Sequence, residues 1–413
     1  MGYGIYDGLA DFLLKLASLI LSPLVVFFVN IIGFFQDLIP ILHFVNPEDF
    51  LSYEIEFQDS LKSTLIDSLE MTTILLFLIV NTIMLIWFER KLVARMMNRR
   101  GPTFIDFNYG HLFGRTWKFG LLQNIAEFLK FFSKEDIVPE KADKFTFNVG
   151  YFVFIVVPPF VLGAILPLGG DTIIADPEVG FLLIFALFSL VPVGVLITGW
   201  SSNNKYSLIG GFRAAAQMIS YEIPLIFSVG SIVIVTHSFS LVEIAQKQSL
   251  GSTPFGLPYM FLIPIGFIVF MVSLAAETER IPFDIPEAEA ELVMGWRTEL
   301  TGFRYMMAMA TEYFILLIGA FVGVSLFWGG SNLPLISPEI IMNIPLLPNI
   351  IFVIKLWLFI FLFIWVRAAL PRVRIDQLLD IGWKRLIPLA ILNIIFVIFL
   401  FINYPGLFGV ING

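Results

Sequence analysis

A chain of 413 residues that is 58% hydrophobic and 14% charged, with a mean hydropathy of +0.88, is too apolar to be a soluble protein. Soluble domains carry roughly a quarter charged residues. The chain has no cysteine, which excludes disulfides and cysteine-ligated clusters, and its three histidines (His43, His111, His237) lie too far apart to suggest a haem or metal site. The net charge of −8 says little about partners, because the placement of charge matters more in a membrane protein.

The start, Met1-Gly-Tyr-Gly-Ile-Tyr-Asp, lacks the positive n-region of a signal peptide, so the first hydrophobic run is expected to stay as an anchor. A membrane span needs about 20 mainly apolar residues. Candidates fall at roughly 14–36, 71–88, 147–168, 179–200, 219–237, 257–275, 305–328, 348–366 and 386–403. The first is interrupted by Pro23, Asn30 and Gln36 and reads as a tilted span or an interfacial helix. Lysine and arginine set the orientation. Of 25 such residues, 21 fall in the segments 89–146, 201–218, 276–304 and 367–385, which places those loops on the cytoplasmic side.

Within the first of these loops, Leu122, Ile125, Leu129 and Phe132 recur at helical spacing beside Gln123, Glu127 and Lys130. The stretch is too short and polar to span. It reads as an amphipathic helix lying on the membrane or packed on a neighbouring protein chain. Glu222, Glu312 and Lys355 are ionisable groups inside or beside hydrophobic runs, and such residues mark a functional path by default. A plain salt bridge, Lys355 to Glu312, is the simpler alternative.

The densest chemistry lies at 276–304, where seven carboxylates (Glu277, Glu279, Asp284, Glu287, Glu289, Glu291, Glu299) meet three arginines (Arg280, Arg297, Arg304). An unneutralised charge drawn into hydrocarbon costs about 2.5–3.5 kcal/mol on insertion scales, so charge this dense beside membrane spans needs a reason. Pro282 and Pro286 break the first half, and a helix from Glu287 would place Glu287 and Glu291 on one face. Carboxylates crowded in a low dielectric cannot all ionise, and groups so poised exchange protons at working pH. A solvated acidic loop is the bland alternative. Arg90, Arg99, Arg367 and Arg372 end two spans and by themselves are ordinary positive-inside anchors, although each loop also pairs acid with base, as in Glu89-Arg90 and Arg374 with Asp376.

Taken in order, Glu89-Arg-Lys…Arg99-Arg-Gly-Pro, Leu122-Gln…Lys134-Glu-Asp, Gly210-Gly-Phe-Arg…Ser220-Tyr-Glu222, Ala276-Glu-Thr-Glu-Arg-Ile-Pro-Phe-Asp-Ile-Pro-Glu-Ala-Glu-Ala-Glu-Leu292, Ala310-Thr-Glu312-Tyr and Trp365-Val-Arg367…Asp376-Gln-Leu378 resemble one family. It is the quinone-site membrane subunit of respiratory complex I, the NADH-quinone oxidoreductase, known as subunit 1 in mitochondria. The resemblance runs over about 70–403. It implies an all-α polytopic integral membrane protein of eight core transmembrane helices plus one extra N-terminal helix, with an amphipathic surface helix near a tunnel mouth. The domains expected are an extension at 1–70, a membrane domain at 71–403 and a tail at 404–413.

The resemblance further implies a quinone tunnel lined by Glu89, Arg90, Arg99, Arg280, Phe283, Asp284, Arg367 and Arg372. It implies a proton relay through Glu222, Glu277, Glu287, Glu289, Glu291 and Glu312. Quinone would be substrate, with no flavin, haem, metal or iron–sulfur cluster held by this chain. Partners would be hydrophilic subunits carrying the terminal cluster and the quinone head-group site, small membrane subunits, antiporter-like pumping subunits and lipids, with no nucleic acid. The setting would be an energy-transducing membrane, a prokaryotic cell membrane by expectation.

Four departures stand out. About 65 residues precede the usual first span, Gly101-Pro102-Thr103 replaces Gly-Pro-Asn, Phe104–Gly120 is expanded, and Trp296-Arg297 places a cation in the acidic cluster. One alternative is the anchor subunit of a membrane-bound hydrogenase or ferredoxin-linked complex, against which Ile281-Pro-Phe-Asp-Ile-Pro286 counts. The other is a stand-alone transporter, against which the lack of internal repeats counts.

Overall fold

The computed structural model describes residues 72, 76–102, 120–163, 179–250, 252–285, 293–344 and 347–408. The expected span at 14–36, all of the 104–120 segment but Gly120, and Glu287, Glu289 and Glu291 lie outside the described residues. The chain divides between Leu76 and Phe77, and the elements below belong to the second unit. Among the described residues every regular element is helical.

Helix α1 covers 77–96 and stops at Asn98, which takes the left-handed conformation (φ 57°) that ends helices. Helix α2, Leu122–Phe132, turns its polar side inward: Asn124 is buried and donates to the Ile83 carbonyl of α1 at 2.9 Å. Of its apolar residues Ile125 and Leu129 are exposed, whereas Phe132, also partly open, packs its ring 5.2 Å from that of Phe303. Asp143 starts α3 by accepting from the Phe145 amide, and a hydrogen bond from the Thr146 hydroxyl holds its carboxyl below the usual range. Helix α3 runs from Lys144 through π-wound turns at Gly150–Val156 to Gly163.

Helix α4, Gly180–Ser201, crosses α3 with a glycine on each helix at the contact: a Cβ on Gly194 would sit 2.6 Å from the Phe154 Cβ and 3.0 Å from the Gly150 carbonyl. Small residues at such crossings let membrane helices approach closely. Three residues then turn the chain into α5, Lys205–Thr236, with Asn203 left-handed and the Asn204 side chain capping Tyr206 at 3.0 Å. The reading of 201–218 as a loop is therefore corrected. Lys205, Arg213 and Gln217 made the stretch look polar, yet 14 of its residues extend the span by about 21 Å of helix.

Helix α6, Pro264–Glu277, is shorter than the expected 257–275 span. Ile263, held before a proline, leaves the helical region and separates α6 from the turn at Tyr259–Leu262. Helix α7, Gly302–Phe327, is buried without exception from Phe314 to Phe327, as expected of a helix apolar all round. Helices α8, Leu347–Ala369, and α9, Ile375–Asn403, complete the unit. Among the described residues five helices (α4, α5, α7, α8 and α9) are long and apolar enough to cross a bilayer, and α3 and α6 are shorter apolar helices.

The segments rich in charge meet at one end. The Asp143 amide donates to Ser201, Ser207 donates to the Trp296 carbonyl, the Val373 amide donates to Pro282, and the Tyr221 hydroxyl donates to Leu378.

Candidate functional site

The stretch after α6 is folded back on the bundle by one side chain. Gln217 of α5 donates from Nε2 to the carbonyls of Ala276 and Phe283, each at 2.8 Å, so both ends of the turn are tied to one amide. The Phe283 ring packs on Tyr221 with centroids 5.5 Å apart. Glu279 follows the helix end with φ 48°, a conformation that usually calls for glycine. A carboxylate held there in spite of that preference marks a constrained position. Ile281–Pro282 is a cis peptide.

Two ionic clusters result. In the first, Glu89, about two turns before the end of α1, is 4% exposed and lies between the guanidiniums of Arg280 and Arg367, pairing with both. Arg280, also 4% exposed, lies 4.4 Å above the Tyr313 ring of α7. In the second, Arg297 reaches Glu279 through Nη2 and Glu312 through Nη1, each at 3.1 Å. Arg297 also lies over the Trp296 ring at 4.9 Å, and Nη1 donates to the Met309 sulfur at 3.3 Å. Glu277, Glu279, Arg297 and Glu312 border a cavity of about 20 Å³, room for one water molecule. Glu277 is 5% exposed and feels the charges of Glu222 and Glu279.

A larger cavity of about 560 Å³ lies between α1, α2 and α7. Its walls include Phe128, Phe131, Phe132, Phe303, Met306 and Met307, together with Met309, Arg90, Glu127 and Tyr313. The volume is that of an ordinary small-molecule site, and an apolar lining with a few polar groups is the usual pattern. Arg90 pairs with Glu127 of α2 at 2.5 Å, but both groups are about a third or more exposed, and such a pair is worth about 0–1 kcal/mol.

The residues read from the sequence thus separate. Glu89, Arg280 and Arg367 form one cluster; Asp284 and Arg372 form a neighbouring pair at 3.6 Å. Arg90 lines the large cavity, and Phe283 is a buried packing residue of the turn. Arg99 is exposed and makes no ion pair among the described residues. Glu277 and Glu312 share the small cavity, and Glu222, half-buried on α5, acts on Glu277.

Lys355 does not pair with Glu312. It donates to the carbonyls of Trp328 and Asn332, capping the far end of α7, where a cation suits the helix dipole. The Lys355–Glu312 bridge read as the simpler alternative is thereby corrected. Sequence reasoning left Glu279 out of the site and treated Arg297 only as a departure, although the two form a buried pair. The clue was the arginine itself, because a cation added among acids is expected to find them. Met309 carried no signal in the sequence.

Among the described residues no group of three or more histidines and acids is placed to hold a metal ion. The family model for NADH dehydrogenase matches residues 69–398. That match covers most of the chain, which therefore belongs to the complex I subunit 1 family and is a membrane subunit of an oxidoreductase complex, with other complex I subunits as its partners.

Proposed function

We propose that this chain forms the quinone-access channel of a complex I-like proton pump and the first part of the acidic relay that couples quinone reduction to proton translocation. The observation that carries this reading is the pairing of cavities across α7. On one side an apolar space of about 560 Å³ has room for a ring and part of an isoprenoid tail. On the other side lie Glu277, Glu279 and Glu312 with one guanidinium, and Glu222 close behind.

Among the described residues four carboxylates meet one arginine there, and in a low dielectric they cannot all be ionised, so protons have to neutralise the excess. A change of charge near the quinone would then redistribute those protons. The first cluster, Glu89 with Arg280 and Arg367, carries excess positive charge and suits an anionic reduction intermediate or product near the inner end of the channel. In this reading the eight apolar helices α1 and α3–α9 are the transmembrane core, and the end where the charged segments meet faces the cytoplasm.

The test uses the intact complex in sealed vesicles, measuring quinone reduction and proton uptake together. Glu277→Gln and Glu222→Gln should each lower the protons moved per quinone reduced while the complex still assembles. Normal stoichiometry in both variants would remove these groups from the relay.

A further inference from the structure

Around Glu312, α7 is a wall one helix thick. Tyr313 and Met309, four residues apart, look into the large cavity, and Glu312 borders the small one. Met309 alone of these also reaches through. It lines the 560 Å³ space, and its sulfur accepts from Arg297 Nη1 at 3.3 Å. The same nitrogen lies 3.1 Å from Glu312, and the other terminal nitrogen reaches Glu279. One unbranched side chain therefore touches both the apolar space and the guanidinium that joins two buried acids.

The physical chemistry favours exchange at this contact. A thioether is a weak acceptor, so giving it up costs little beside the ion pairs with Glu279 and Glu312 that Arg297 keeps. Methionine has three rotatable bonds and adapts its shape to what lies against it. A ligand entering the large cavity competes for the space Met309 fills. When the sulfur turns away, Arg297 Nη1 is left to Glu312 alone, and the balance of the guanidinium between Glu312 and Glu279 changes. Tyr313 also bridges cavity and arginine, but Arg280 is fixed by its buried pair with Glu89.

We propose that Met309 is the positioning residue through which an occupant of the large cavity alters the Arg297 bridge between Glu279 and Glu312. This rests on the reading of that cavity as a quinone channel.

The chain has no cysteine, so an introduced thiol is its only one. Thr311 and Ala308 both border the small cavity, and Met307 borders the large one. In the intact complex, the rate at which Thr311→Cys forms a mixed disulfide with methyl methanethiosulfonate, releasing methanesulfinate, is measured with and without a decyl-substituted benzoquinone. Ala308→Cys serves as a second reporter, and each is read in the Met309 and Met309→Leu backgrounds. The quinone should protect Met307→Cys from the reagent in both backgrounds. It should change the rate at the small cavity at least about fivefold with Met309, the lower end of ordinary coupling between sites, and leave it unaltered with leucine. Protection at 307 combined with the same response in both backgrounds, or with no response in either, overturns the role of Met309. Failure to protect 307 removes the quinone reading of the cavity, and the sensing role falls with it.

Discussion

At the scale of single residues, Arg297 decides whether the acids behind α7 can be buried together. It is 2% exposed and touches two carboxylates, so replacing it leaves both without their cation. Breaking a buried pair by removing one partner costs about 3–5 kcal/mol. Arg297→Gln should therefore lower the melting temperature of the complex and its protons-per-quinone ratio together. Arg297→Lys should rescue only part of either, since a single ammonium cannot span both acids as a planar fork does. Equal melting temperatures for wild type and Arg297→Gln would show that the bridge carries no stability. The position was readable as an oddity, a cation among acids. Its partners were not, because Glu279 looks like one more loop carboxylate until the backbone at φ 48° aims it inward. Glu222, Glu277 and Glu312 were legible for a simpler reason: a carboxylate in or against an apolar helix has to be neutralised somewhere.

At the scale of elements, the site depends on close backbone approaches more than on the charged residues themselves. A Cβ on Gly210 of α5 would lie 2.5 Å from the Gly295 Cα, so α5 and the turn carrying Trp296 and Arg297 meet backbone to backbone. Gly210→Ala should push that turn outward and lose coupling along with stability, by about 1–3 kcal/mol for an overpacked contact. Limited proteolysis near 293–300 and the coupling ratio would read the displacement, and an alanine variant with native values for both would show that the turn can yield. Gln217→Leu should act on the other side of the same turn. It removes both side-chain hydrogen bonds at once, about 0.5–1.5 kcal/mol each, while the two carbonyls keep the backbone amides of Glu279 and Ile285. Hydrogen exchange at 277–285 should rise; unchanged exchange would show the clamp to be dispensable. The sequence concealed this arrangement because the glycines and the glutamine of 201–218 read as loop, and their helical packing is settled by partners distant in the chain. The span at 257–275 was misjudged for the opposite reason: its apolar run continues across Ile263, where Pro264 ends the helix locally.

At the scale of the molecule, charge is sorted between the two ends of α7. Glu312 lies near the acid cluster, while Trp328, about 24 Å further along the helix, is capped by Lys355. Lys355 is thus a structural cation despite lying inside a span. Lys355→Met should cost about 1.5–3 kcal/mol for each charged hydrogen bond lost, seen as a lower melting temperature. It should leave the protons-per-quinone ratio unaltered, and a changed ratio would return Lys355 to the relay. An all-helical membrane fold followed from composition and hydrophobic runs, and positive charge picked out the segments that meet at one end. What stayed hidden was the thickness of the wall between the two cavities, a matter of which faces of α7 meet which neighbours.

The sealed half of α7 has a mechanical consequence. From Phe314 onward the helix is enclosed, and its glycines are filled by neighbours: a Cβ on Gly319 would collide with Leu274, and one on Gly323 with Phe359. That half has no slack to slide or tilt at native packing density. Any displacement during turnover is therefore confined to the first three turns, Gly302 to Tyr313, pivoting where the enclosed portion begins. The first three turns, between the oily chamber and the acids, are held more sparingly, by the Tyr151 hydroxyl on the Arg304 carbonyl and by the Arg304–Asp136 pair.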